Sequence, residues 1–95
     1  MSFVQQTPRL FTRPDVESLN AGQVGVYGLF RNSCWVYVGK GDLRERLLAH
    51  LNGDNSYITK QAPTHWLGEV TQGGPSARER ELILALQPRC NLRVG

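Results

Sequence analysis

Residues 24–40 read VGVYGLFRNSCWVYVGK and contain two runs rich in β-branched and aromatic residues. Runs of this kind favour β-strands, and the polar Arg-Asn-Ser triplet between them is typical of a turn. The stretch therefore predicts a β-hairpin. Its predicted strands are 24–30 and 34–40. A three-residue loop places Tyr27 directly opposite Tyr37 on one face, where strand tyrosines are most often a cross-strand packing pair.

A helix is predicted directly after the hairpin. Asp42 has the chemistry of an N-cap residue, and Glu45 three positions later completes a pattern like a capping box. The Asn52-Gly53 pair is typical of a helix end. Between these limits, four leucines gather on one side of the predicted helix: Leu43, Leu47, Leu48 and Leu51.

The remaining segments complete the order β-β-α-β-α. Residues 53–63 are polar and rich in turn residues, which predicts a surface loop. A third strand is predicted at His65–Thr71 and a second helix at Ser76–Leu86. Residues 1–23 are predicted to form an arm with a short helical turn at Pro14–Leu19. This order indicates an α+β domain, with a small three-stranded antiparallel or mixed sheet flanked by helices.

The composition predicts a single globular domain spanning residues 1–95. A chain of this size with 40% hydrophobic residues can bury one modest core without disulfides. Its longest apolar run, Leu82–Leu86, is far shorter than the roughly 20 residues that span a bilayer. No secretory signal is visible, so we expect an intracellular protein of the cytoplasm or nucleoid. Cys34 and Cys90 are then expected as thiols packed like small hydrophobic residues, because neither lies in a C-x-x-C pair. A zinc site of Cys34, His50, His65 and Cys90 is not expected, because their intervals match no usual ligand spacing.

The charge balance favours an anionic partner only weakly. The chain has 11 Lys+Arg and 8 Asp+Glu, a formal net charge of +3. Nine of the 11 basic residues are Arg, whose planar donor fork suits phosphate better than the ammonium of Lys. Arg is also a good helix former on protein surfaces. Composition alone therefore leaves nucleic-acid binding as one of several functions.

Two tripeptides in the hairpin, GVY at 25–27 and YVG at 37–39, resemble the motifs of the GIY-YIG nuclease family. Gly, Val and Tyr are ordinary hairpin residues, so these tripeptides alone are a weak signal. The resemblance continues into the first helix. Residues 43–47 are similar to the family segment that carries a catalytic Arg, here Arg46, and His50 follows four residues later.

The second helix extends this resemblance. Glu79, followed by Leu82-Ile83, Pro88 and Asn91, is similar to the stretch that supplies the family's metal-binding Glu and its later Asn. The ordered set of motifs is far more specific than any one of them. It covers residues 24–91, which is nearly the whole chain.

The resemblance implies a metal-dependent endonuclease that hydrolyses phosphodiester bonds in DNA. One Mg²⁺ or Mn²⁺ would be held by Glu79. Tyr27 would act as general base, with Tyr37 or His50 assisting, in positively charged surroundings that favour the phenolate. The implied contacts to phosphate or nucleic acid are Lys40, Arg44 and Arg46. The implied structural supports of the site are Gly25, Gly39 and Asn91.

Three of these helix residues also have structural interpretations. Arg46 can pair with Asp42 four residues earlier, and His50 can stabilise the last helical turn through the helix dipole. Residues 76–79 match an S-x-x-E capping box that would use Glu79 as its carboxylate. Glu79 nevertheless shares one helix stripe with Leu82, Ile83 and Leu86. An inward carboxylate is costly unless it is paired or metal-bound, which favours the ligand role.

The sequence hypothesis is therefore an endonuclease that is structure-specific or engaged in DNA repair or recombination. Its target choice would come from a homodimer or from a partner protein, and the residues do not separate DNA from RNA. One alternative is a nucleic-acid-binding module of the same fold without cleavage. Its phosphate contacts would be Arg31, Arg44, Arg46, Arg78 and Arg80. Another alternative is a structural adaptor in which the tyrosines and Trp35 only pack.

Overall fold

A computed structural model describes residues 3–91 of the chain. The elements are β1 (Arg9–Leu10), α1 (Arg13–Glu17), β2 (Val24–Arg31), β3 (Cys34–Asp42), α2 (Leu43–Leu51), α3 (Ser56–Gln61), β4 (His65–Val70) and α4 (Ser76–Leu86). Within the described residues, the strands form one antiparallel sheet in the order β1-β4-β2-β3. The α+β class is confirmed. None of the helices in residues 3–91 has the length and apolar character needed to cross a membrane.

The sheet has four strands over residues 3–91, so the prediction of three strands is wrong. The additional strand, β1, lies in the segment predicted as an arm. It is two residues long and pairs Arg9 with Trp66 and Leu10 with His65. So short a strand has no alternating pattern of its own, because it is defined by its pairing with a distant strand.

The predicted surface loop at 53–63 contains helix α3, which corrects that prediction. The side chain of Asn55 caps this helix by accepting hydrogen bonds from the backbone amides of Tyr57 and Ile58. Ile58 is the residue that anchors it, because this side chain is only 1% exposed. A cap and one buried contact are enough to hold a short helix against the core.

The hairpin is present, but its register differs from the prediction. Tyr27 lies opposite Gly39 and Tyr37 lies opposite Leu29, with an irregularity between Leu29 and Phe30. The turn has two residues, Asn32 and Ser33, both with positive φ, as in a type I′ turn. The two tyrosines are therefore diagonal neighbours on one face, with ring centroids 6.2 Å apart.

The two main helices begin and end close to their predicted limits. Asp42 caps α2 by accepting a hydrogen bond from the Glu45 amide at 3.1 Å. The predicted bounds of α4, Ser76–Leu86, are confirmed.

Cys34 is exposed, so the prediction that it packs like a small hydrophobic residue is wrong. It occupies the first position of β3, beside the turn.

The sheet separates two hydrophobic clusters. Successive side chains of β2 point to opposite faces, so Tyr27 and Leu29 pack toward α2 whereas Val26 packs toward α4. On the α2 side the core includes Leu43, Leu47, Ile58 and Trp66. On the α4 side it includes Phe3, Val38 and Leu82. Helix α2 therefore places its flank over the hydroxyl end of Tyr27.

Candidate active site

A chain of hydrogen bonds runs from β2 through α2 to the residue that follows the helix end. The Tyr27 hydroxyl lies 2.6 Å from His50 Nε2, and His50 Nδ1 lies 2.8 Å from Asp54 Oδ1. Tyr27 is 1% exposed and His50 is 5% exposed. A histidine at this position could have served only to stabilise the helix end. Instead, both of its ring nitrogens face polar partners, the buried Tyr27 hydroxyl and the partly exposed Asp54 carboxylate.

Arg46 lies one turn before His50 on the same flank of α2. Its guanidinium donates a hydrogen bond to Asp54 Oδ2 at 3.2 Å and remains 38% exposed. The alternative ion pair with Asp42 is not formed. Asp42 instead accepts hydrogen bonds from the backbone amides of Glu45 and Gly22. We call Tyr27, Arg46, His50 and Asp54 the buried cluster, in which Tyr27 and His50 are buried and Arg46 and Asp54 form the solvent-exposed side.

Lys40 and Glu79 form a second group, which we call the rim pair. Their Nζ and Oε1 atoms are 3.6 Å apart, with side chains 44% and 21% exposed. Lys40 also donates a hydrogen bond to Ser76 Oγ at 2.9 Å. Helix α4 has no side-chain cap bond, and Ser76 is already its first residue after Pro75. The capping-box interpretation of Glu79 is therefore wrong.

Tyr37 adjoins both groups. Its ring packs edge-on against the His50 ring, with centroids 5.3 Å apart. Burial raises the pKa of Tyr37, and the negative charge of Glu79 raises it further. The sheet register thus brings together Tyr27, Tyr37 and the two α2 residues, Arg46 and His50, and it places Glu79 within electrostatic range of Tyr37.

The electrostatics of the buried cluster oppose a standing phenolate. Burial, followed by the nearby Tyr37, raises the pKa of Tyr27, and the guanidinium of Arg46 only partly offsets that rise. Burial also lowers the pKa of His50, against a smaller opposing effect of Asp54. The expected phenolate-favouring surroundings are thus overturned by burial. At neutral pH, Tyr27 carries its proton and the neutral ring of His50 can accept one.

Two glycines allow close packing, Gly39 against the tyrosines of the site and Gly25 between β2 and β4. A Cβ atom on Gly39 would lie 2.4 Å from the Tyr27 hydroxyl, so only glycine leaves room for that group. A Cβ atom on Gly25 would lie 1.8 Å from the backbone oxygen of Glu69 on the adjacent strand. Both predicted supports are therefore places where a side chain would collide with its surroundings.

Asn91 holds the segment after α4 against the edge strand β3. Its amide donates to the backbone oxygen of Val38 at 2.9 Å and accepts from the Val38 amide at 2.7 Å. The backbone amides of Arg89 and Cys90 donate to the carbonyl oxygens of Trp35 and Val36. The segment is a turn, and its backbone and side-chain hydrogen bonds cover the outer edge of β3. This is the bracing contact expected of Asn91.

Arg44 was predicted as a site residue but lies outside the site, whereas Asp54 was not predicted and lies within it. Arg44 lines a surface depression near Asp42 and Glu45, apart from the buried cluster. Asp54 was not among the predicted site residues, although it contacts both Arg46 and His50. The sequence signal for Asp54 was its spacing of four residues after His50. That signal was hidden because the helix ends between the two residues, at Leu51 with the cap Asn52.

Glu79 has the chemistry of a ligand for a hard divalent cation. Mg²⁺ is usually bound by one or two carboxylates together with water and substrate phosphates, so one accessible carboxylate is compatible with it. Across residues 3–91, no three His, Cys, Asp or Glu side chains gather as a ready metal cage. Any cation at Glu79 would therefore depend on water and phosphate for most of its ligands, and Lys40 would have to move aside.

Comparison of the chain with protein-family models, with curated proteins and with solved structures finds no match. Function is therefore inferred from the residues and their geometry. The geometry joins a buried proton acceptor, an accessible guanidinium and an accessible carboxylate around Tyr37. These are groups that phosphodiester hydrolysis requires.

Proposed function

We propose that this protein is a metal-dependent endonuclease of the GIY-YIG type that hydrolyses phosphodiester bonds in DNA. The observation that carries the proposal is the 2.6 Å contact between the Tyr27 hydroxyl and His50 Nε2, with the Arg46 guanidinium beside it. A buried neutral histidine that faces a tyrosine hydroxyl provides a route for a proton. A purely structural tyrosine pair has no need of that route.

Tyr27 accepts the proton of the attacking water by passing its own proton onward. Its raised pKa keeps it protonated before the reaction, so it does not act as a standing phenolate. As the Tyr27 oxygen takes a proton from water, the hydroxyl proton moves to Nε2 of His50. The tyrosine is neutral before and after the transfer. The proton therefore ends on a ring whose two nitrogens are both held.

Arg46 and Lys40 compensate the negative charge of the phosphate. The Arg46 guanidinium is partly exposed and can exchange its contact with Asp54 for charge-assisted hydrogen bonds to phosphate oxygens. Lys40 is more exposed, and it gains a phosphate partner when it leaves Glu79. Glu79 would then hold Mg²⁺ or Mn²⁺. A bound ion of this kind stabilises the charge that develops on the leaving 3′ oxygen.

The size of the domain limits the substrate that it can read. The described part of the chain measures 30 × 27 × 26 Å, which is less than one turn of duplex DNA, about 34 Å. Recognition of DNA shape therefore suits this domain better than a long sequence. We propose branched or damaged DNA in repair or recombination as its substrate, with a homodimer or a partner protein adding target choice.

The binding-module alternative loses one of its five proposed phosphate contacts. Arg78 is engaged in two hydrogen bonds to the Glu69 carboxylate, each 2.9 Å long. This pair also ties α4 to β4, and Glu69 accepts a further bond from the Val4 amide. Arg78 is therefore committed to the fold, whereas the side chain of Arg46 is 38% exposed and its ion pair is with a partly exposed carboxylate.

Nicking of supercoiled plasmid and of a labelled branched duplex tests the proposal. The assay compares wild type, Glu79→Ala and Arg46→Ala in Mg²⁺, Mn²⁺ and EDTA. Lys60→Ala is the control for loss of one positive charge, because Lys60 is exposed on α3. We expect cleavage that requires metal, is lost in the first two variants and is kept in the third. Salt-sensitive DNA binding without cleavage would select the binding module, and absence of both would select the adaptor.

A further inference from the structure

The Asp54 carboxylate contacts two α2 side chains at once. Oδ1 faces His50 Nδ1 at 2.8 Å, and Oδ2 accepts a hydrogen bond from Arg46 at 3.2 Å. The chain reaches this position because Gly53, which follows the helix cap Asn52, adopts a positive φ of 81°. The Asp54 amide also donates to the carbonyl oxygen of Ala49. This backbone hydrogen bond fixes the position of Asp54 next to α2.

The position of Asp54 determines where the proton of His50 lies. An ionised carboxylate only accepts hydrogen bonds, so the Nδ1 atom facing it must carry the proton. In a neutral ring Nε2 is then bare, and it accepts a hydrogen bond from the Tyr27 hydroxyl. We propose that Asp54 is the positioning residue of this site: it fixes the His50 tautomer and stabilises the imidazolium formed when the Tyr27 proton arrives.

Among the groups that face His50, Asp54 is the one that favours the protonated, charged ring. Those facing the imidazole are Tyr27 from β2, Tyr37 from β3, Arg46 from α2 and Asp54 after the helix. Burial and Arg46 disfavour the imidazolium, whereas Asp54 favours it both by its hydrogen bond and by its charge. Removing the charge of Asp54 should therefore make His50 harder to protonate.

Asp54 also links phosphate binding to proton transfer. This step rests on the proposed function. When Arg46 turns to a phosphate, Asp54 loses a cationic partner and its full charge acts on His50, which becomes a better proton acceptor. Water then gives its proton to Tyr27, Tyr27 gives its own to Nε2, and the water oxygen bonds to phosphorus. The bond to the 3′ oxygen breaks with its electron pair on that oxygen, which takes a proton from solvent.

Nitrogen NMR of the histidine-labelled free protein tests the tautomer directly. We expect wild-type His50 at neutral pH to carry its proton on Nδ1. Asp54→Asn should move its protonation midpoint to lower pH, because the charge that favours the imidazolium is gone. Glu45→Gln, which removes an exposed carboxylate from the same helix, should leave the midpoint unchanged. A proton on Nε2 in wild type, or an unchanged midpoint in Asp54→Asn, would overturn the proposal.

The NMR measurements need neither metal nor nucleic acid. Their result therefore tests the role of Asp54 independently of whether the protein cleaves DNA. Kinetics add a second criterion once cleavage is observed. Asp54→Asn should lower kcat about 100-fold, at the low end of what a positioned proton acceptor contributes. KM should stay constant or fall, because Arg46 is released for phosphate. A rise in KM with unchanged kcat would show that Asp54 acts only through binding, against the proposal.

Discussion

The buried cluster and the rim pair lie on either side of Tyr37, yet they are built differently. The side chain of His50 is 2% exposed and Tyr27 contacts it at 2.6 Å, whereas Lys40 is 44% exposed and meets Glu79 only at 3.6 Å. An exposed ion pair of that length contributes roughly 0–1 kcal/mol to folding. A buried polar group that loses its partner costs about 1–3 kcal/mol.

This difference separates two requirements of catalysis. Proton transfer needs atoms that are already in place, and the buried cluster provides them within the hydrophobic core. Binding of a cation and a phosphate needs groups that can exchange partners, and the rim pair provides those together with the partly exposed Arg46. Substitutions in the rim pair should therefore change activity alone. Substitutions in the buried cluster should change both activity and stability.

The largest effect is expected from Glu79→Ala. Cleavage should fall to the level measured in EDTA, because the implied metal ligand is gone. The free energy of unfolding should change by no more than about 0.5 kcal/mol, as for most surface substitutions. Urea unfolding and plasmid nicking measure the two quantities. Glu81→Ala removes an exposed carboxylate two residues further along α4, on a different face of the helix, and should retain cleavage. Metal-dependent cleavage by Glu79→Ala would contradict the assignment of this residue.

Tyr27→Phe is expected to affect both quantities. Loss of the hydroxyl should lower the cleavage rate about 100-fold and leave His50 Nε2 without its partner, at a cost of about 1–3 kcal/mol. Tyr57→Phe removes the hydroxyl of a half-exposed tyrosine and serves as the control. A Tyr27→Phe protein that is as stable and active as wild type would show that the buried cluster is not the proton route.

Gly39→Ala tests the packing of the buried cluster without removing any polar atom. The new methyl group would press against the Tyr27 hydroxyl, and we expect a loss of about 1–3 kcal/mol in stability together with reduced cleavage. Gly73→Ala is a matched substitution, because nothing lies within 4 Å of a Cβ atom there. Equal unfolding midpoints for the two variants would contradict the close contact.

The smallest effect is a difference in the pH dependence of stability. The pKa of folded His50 lies below the value of about 6.5 for an unfolded histidine, so the unfolded chain binds the proton first. Stability should therefore fall as the pH drops from 7 to 5. His50→Gln should lose this part of the slope in urea unfolding, whereas His65→Gln, which leaves His50 in place, should keep it. Identical slopes for wild type and His50→Gln would contradict the burial effect.

The elements predicted well from the sequence are those with local signals. The Asp42 cap and the leucine spacing locate α2, and the bounds of α4 follow from its apolar stripe and the approach to Pro88. The hairpin strands also follow from their composition. Strand β1 and helix α3 escaped prediction because each is held by contacts with distant residues, as the buried Ile58 shows.

The candidate site was predicted in part for the same reason. Arg46 and His50 share a helix flank, which a spacing of four residues reveals. The diagonal placement of Tyr27 and Tyr37 depends on an irregularity in the hairpin that the sequence does not signal. Burial of Tyr27 reverses the expected direction of its pKa, and burial is a property of the assembled core. Asp54 depends on the course of the backbone after Gly53.

The hydrogen bonds that residues 89–91 make to the edge of β3 also bear on self-association. At one side of the sheet, this segment occupies backbone groups of Trp35, Val36 and Val38 that would otherwise accept a strand from another molecule. At the other side, β1 is only two residues long and offers little to pair with. A chain that ended before Arg89 would present an open edge, and we expect it to aggregate in concentrated solution even where its monomer still folds.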